Sequence, residues 1–162
     1  MSSTVPASHV TDALSLEADG YVHLFKLLLY PTGIIAFTGG QGITWQGVEF
    51  EQVACKLSGL GSHASEQVSR PKLDIQNPDG AYSKVVSQGS LNGARIQRFR
   101  VLRSDALADN NIYVSNTWRI GRVTNLTRVR LSLELRELGD GPNYVVPALT
   151  FSAPEFPSVT LR

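Results

Sequence analysis

Residues 128–137, RVRLSLELRE, alternate without interruption between apolar and polar side chains. Val129, Leu131, Leu133 and Leu135 fall on one side, and Arg130, Ser132, Glu134 and Arg136 on the other. That period of two belongs to a strand with one buried face, because successive side chains of a strand point to opposite sides of the sheet. Wound into a helix, the same four residues would spread around the cylinder with no common face. Burying such side chains stabilises by roughly 1.5–3 kcal/mol each before chain entropy is subtracted. A lone strand has nothing to be buried against, so this segment demands a sheet built from the rest of the chain.

Partner strands are visible elsewhere. Ile43–Trp45 and Val48–Val53 flank Gln46-Gly47, a two-residue connection in which Gly47 can take the positive φ of a tight hairpin turn. Lys72 to Gln76 alternates Leu73 and Ile75 against polar neighbours and closes on the turn signal Asn77-Pro78-Asp79-Gly80. Tyr21–Leu29 is apolar enough to predict cover on both faces. Four glycines around Ile34–Phe37 predict a loop-hairpin over 31–42, and Ser58–Ser65 reads as a Gly/Ser loop. Arg95–Arg103, with Ile96, Phe99 and Val101, and Trp118–Val123 read as further strands, with a loop over Asp105–Asn111. Ser8 can cap a short helix over 8–18 that buries Val10 and Leu14, and Tyr82–Gln88 suits a second.

The sum is seven to nine strands with one or two short helices, which predicts a mainly β sandwich or barrel. The expected layout is a β-rich domain over 1–138, with 1–7 frayed, followed by an extended arm over 139–162. Pro142, Pro147, Pro154 and Pro157 exclude a regular helix or central strand from that arm.

At 162 residues the chain suits one hydrophobic core. Its charged fraction of 18% lies below the usual ~25%, which suggests that part of its surface is covered by partners. The net charge of +1 conceals an asymmetry. Residues 1–89 hold five basic and eight acidic side chains, whereas residues 90–138 hold nine arginines against four acids. A nucleic-acid surface is one reading of the basic part. Arginines at alternating strand positions fit interface-paired or solvated side chains better.

Cys55 is the only cysteine, so there is no intrachain disulfide and no cysteine-held metal, and a packed thiol is expected. The N-terminal MSSTVPASHV has neither the basic nor the apolar region of a secretory signal. The apolar run Leu24–Tyr30 is short and broken by Lys26, so no membrane-spanning segment is expected.

Catalytic patterns fail on context. Gly59-Leu60-Gly61-Ser62-His63 lacks the spacing of a nucleophile elbow. Gly59, Gly61 and Ala64 with Asp79 mimic a dinucleotide fingerprint, but no helix pattern follows before Pro71. His9, His23 and His63 are scattered outside any metal-ligand spacing. Glu49 and Glu51 share one strand face at roughly 7 Å, the arrangement of two solvated carboxylates as much as of an acid–base pair. Trp45 and Trp118 sit within apolar strand patterns that favour packing over stacking on a sugar. No catalytic, cofactor-binding or metal-binding residue emerges, and an enzyme is not expected.

In order and spacing, Trp45-Gln46-Gly47, Glu49-Phe50, Arg70-Pro71-Lys72-Leu73 and Asn77 resemble the N-terminal domain of the minor tail protein L family of lambda-like phages. Ser90-Leu91-Asn92-Gly93 with the basic strand after it, Trp118-Arg119-Ile120 and Val129–Leu135 extend the likeness over about residues 8 to 150. The resemblance implies a tail-tube or hub-like β domain in the virion, assembled in the host cytoplasm. It implies a ring, trimeric by analogy, that joins the distal tail protein to a central hub or receptor-binding protein, with the tape-measure protein as a further neighbour. No specific nucleic acid is implied. That family continues into a cysteine-rich iron–sulfur domain, but no cysteine follows Cys55 here, so no cluster is expected. The competing expectation is a carbohydrate- or receptor-binding β-sandwich that uses Trp45 or Trp118.

Overall fold

The computed structural model describes residues 5–13, 20–29, 31–60, 70–89, 91 and 93–138. Among them, the order is α1 (Ala7–Ala13), β1 (Tyr21–Leu28), β2 (Ile34–Thr38), β3 (Ile43–Trp45), β4 (Val48–Gln52), β5 (Cys55–Ser58) and β6 (Lys72–Gln76). A single 3-10 turn (Pro78–Gly80) leads into α2 (Ala81–Ser87), followed by β7 (Arg95–Leu102), α3 (Arg103–Leu107), β8 (Val114–Leu126) and β9 (Arg130–Glu137). The fold is mainly β, as the sequence predicts. The arm over 139–162, most of the 58–65 loop and the second half of the expected 8–18 helix lie outside the described residues.

All nine strands belong to one mixed sheet, ordered β3-β4-β2-β1-β7-β8-β9-β6-β5. Every pairing is antiparallel except β2 with β4. The sheet rolls up so that its distant members meet. The Val53 amide donates to the Thr38 carbonyl, and the Gln76 amide donates to the Ala54 carbonyl, so residues 53–54 bridge β2 and β6. Gly39 leaves so little room beside Cys55 that an added Cβ would stand 3.3 Å from its Sγ. The result is an incompletely closed barrel rather than two stacked sheets.

Its interior is one apolar cluster drawn from strands far apart in order: Phe25, Phe37, Ile75, Ile96, Trp118 and Leu133 among others. Val85 and Val86 of α2 pack against it from one end. A second cluster lies on the outer face of β1 and β7, where the β3–β4 hairpin and α3 fold over Leu24 and Val101. Two apolar faces explain the near-continuous apolarity of β1.

Strand directions follow from the pairings. β2, β5, β7 and β9 all run one way and end at one rim of the barrel, where β1, β6 and β8 begin.

Several expectations are corrected. Leu131, Leu133 and Leu135 enter the core, but Val129 is 70% exposed, because β9 starts at Arg130 and Val129 stays in the β8–β9 connection. Ser132 and Glu134, expected at the surface, are buried. β8 is thirteen residues long, against the six of Trp118–Val123, because pairing with β7 and β9 extends it through polar positions. α3 replaces the end of the Arg95–Arg103 strand and the start of the expected loop, which makes three short α-helices among the described residues against the one or two expected. α1 buries His9 and leaves Val10 half exposed.

Candidate assembly interface

The Trp45-Gln46-Gly47 motif is a structural lock. Gln46 and Gly47 both take positive φ, 51° and 70°, which sets the tight turn of the β3–β4 hairpin. The Gln46 amide donates to Asp109 Oδ1 at 2.6 Å, and its Nε2 donates to the Asp109 carbonyl at 2.8 Å. Trp45 Nε1 donates to the Asn110 carbonyl at 3.0 Å, while the ring packs against Phe99 and Tyr113. The motif therefore pins the hairpin to the turn after α3. With Trp45 4% exposed and Trp118 inside the barrel, neither indole offers a face to a sugar.

The other candidates do not converge. Glu49 and Glu51 are exposed on β4, and Ser62 and His63 lie outside the described residues. His9 is 2% exposed, packs edge-on to Tyr21 and has no hydrogen-bond partner among the described residues. Burial pushes the Cys55 thiol up to about 11, which keeps it protonated and unreactive at neutral pH. Among the described residues, no three His, Cys, Asp or Glu side chains gather as metal ligands. No helix among them is long and apolar enough to cross a membrane.

What the fold does assemble is arginine, in three settings. On the outer face of β6, β8 and β9, Glu134 accepts from Arg122 Nε at 2.8 Å and from Arg70 Nη1 at 3.1 Å. Burial alone would raise the Glu134 carboxyl, but these two guanidinium groups outweigh it and hold the group below its ordinary value. Asp74 accepts from Arg130 Nε at 3.1 Å and from the Ser132 hydroxyl at 2.6 Å. The Arg130 hydrogen bond lowers the Asp74 carboxyl against an opposing burial effect, helped by Ser132 and the charges of Arg130 and Lys56. This lattice explains why Ser132 and Glu134 are covered despite facing outward.

Beside the lattice stands a row of like charges. Register places Arg95 opposite Arg119, and Arg119 opposite Arg136, across β7, β8 and β9. Neighbouring strands are about 4.8 Å apart, and like charges directly opposite one another destabilise a sheet. Among the described residues, no carboxylate forms an ion pair with these three, whereas Arg70, Arg122 and Arg130 all have one. Arg136 lies across Gly121, whose missing side chain makes the room: a Cβ there would come within 2.8 Å of Arg136 Nε and 3.0 Å of its Cγ.

The third setting is the rim. Arg98 and Arg100 on β7 face His23 on β1, and Arg98 Nη2 donates to His23 Nδ1 at 3.2 Å. Burial, then the charges of Arg98 and Arg100, lower the His23 pKa, so the ring is a neutral acceptor. Arg100 also lies 5.0 Å over the Tyr21 ring. The row of like charges and the rim cluster were hidden in the sequence, because their signal is cross-strand register rather than spacing along the chain.

No family profile and no curated protein matches this chain. Among solved structures, a chain from the virion of the native gene transfer agent particle superposes with a TM-score of 0.61. The match covers 82% of this chain at 14% sequence identity, and this chain spans 45% of the length of that one. The similarity is one of fold.

Proposed function

We propose that this chain is a structural, non-enzymatic subunit of a phage-type virion. Its place is the tail tip or baseplate, in a ring of three copies that joins the distal tail protein to the central hub or receptor-binding assembly. The observation that carries this reading is the fold shared with a gene transfer agent virion chain over 82% of the length. The residues that resemble the minor tail protein L family add the tail-tip location. The Arg95–Arg119–Arg136 row supports an assembled state, since like charges in register are relieved by an acidic face on a neighbouring subunit. Among the described residues, the β3 and β5 strands at the ends of the sheet each pair on one side only, which leaves backbone groups for a neighbour to cover.

Co-expression with the distal tail protein and the hub protein, followed by native mass measurement, tests the proposal. It predicts a complex that contains several copies of this 17.6 kDa chain. A chain that stays monomeric and binds neither protein would contradict it.

A further inference from the structure

At the rim where β2, β5, β7 and β9 end, a groove of about 650 Å³ opens between the glycine-rich stretch Gly39–Gly42 and the ends of β1, β5 and β7. Leu57, Leu60 and Leu107 supply apolar wall, while His23, Arg98 and Arg103 supply polar groups. Arg98 and the adjacent Arg100 each bury an Nε that meets no acceptor among the described residues. Among the described residues, no carboxylate forms an ion pair with Arg98, Arg100 or Arg103. Half-buried cations beside apolar wall are costly without a counter-ion, so the groove suits a segment that brings carboxylate and apolar side chains together.

Such a segment begins on the same rim, with β8 between β9 and β7. β9 ends at Glu137 on the same rim, and residues 139–162 follow. They carry Asp140 and Glu155 with Tyr144, Phe151 and Phe156, and their prolines favour an extended form. Their 24 residues reach up to roughly 80 Å when extended, many times what the groove requires. Tethering at the rim gives the segment an effective concentration in the millimolar range, well above that of free copies in solution.

We propose that the groove is the docking site for residues 139–162 of the same chain, with a carboxylate of that segment between Arg98 and Arg103 and its aromatic side chains on the leucine wall. This goes beyond the virion role and does not depend on it.

Disulfide trapping in the full chain tests it. Gln41→Cys, an exposed position on the groove wall, is combined with Cys55→Ser and with Ala148→Cys or Ala153→Cys. Val129→Cys, at the opposite rim, replaces Gln41→Cys in the control. In dilute solution we expect an intrachain disulfide with Gln41→Cys, formed at least about tenfold faster than with Val129→Cys. Adding Arg103→Glu, an exposed change that spares the core, should slow it severalfold at low salt. Crosslinks between chains would assign the groove to a second copy and overturn the proposal. Equal trapping at the two rims, no trapping, or indifference to Arg103→Glu would overturn it as well.

Discussion

Asn77 shows how much one side chain does here. It is fully buried, and its Oδ1 accepts from the Tyr82 amide at 2.8 Å while its Nδ2 donates to the Thr127 carbonyl at 2.7 Å. One amide thus holds the start of α2 against the β8–β9 connection. Asn77→Ala strands a donor and an acceptor without adding strain, so a loss of roughly 2–3 kcal/mol is expected in urea unfolding. Gly121→Val should cost about 1–3 kcal/mol by the same measurement, because the Arg136 side chain must leave its bed. Asn77 was legible as a turn residue from Asn77-Pro78-Asp79-Gly80. Its bridge to Thr127, fifty residues away, leaves no mark on the local pattern. The same holds for Gln46: Gly47 announces the hairpin turn, but nothing near it announces Asp109.

At the level of elements, β9 was legible in its apolar face and misread in its polar one. Alternation identifies Leu131, Leu133 and Leu135 as core, whereas the burial of Glu134 depends on Arg70 and Arg122, which arrive from other segments. Glu134 and Asp74 both titrate below their ordinary values of 4.5 and 3.8 in the folded state. The unfolded chain therefore takes up their protons first as pH falls. The stability they contribute is complete above those ordinary values and is lost as pH drops through the lower folded ones. The stability difference between wild type and Glu134→Gln should accordingly be constant near neutral pH and shrink below about pH 4. A difference that does not change with pH would contradict the assigned lattice. The arginine row makes a prediction of opposite character. Arg119→Glu removes a like-charge contact on each side, so the isolated chain should unfold at an equal or higher urea concentration. The same variant should bind its assembly partners more weakly, by on the order of tenfold or more. Loss of both stability and binding would make the row a folding feature only.

For the whole molecule, a β-rich class was legible because enough strands carry alternation or turn glycines. The choice between sandwich and barrel was not, since closure depends on contacts such as Val53 with Thr38 and Gln76 with Ala54, which pair distant segments. β5 escaped notice because only Cys55 and Leu57 mark it, and α3 because five residues are too few to show a helical period. Rolling the sheet gives the chain two unlike surfaces. One is an outer face of arginines, of which some are ion-paired among the described residues and others are not. The other is the rim that carries the cationic groove. The first suits a subunit whose partners complete it, and the second suits docking of the chain's own residues 139–162. The most direct test is an image of the intact particle with this chain tagged, by label or by averaged density. The account predicts signal confined to the tail tip, with several symmetry-related copies. Signal spread over the capsid, or particles that assemble complete tails without the chain, would contradict it.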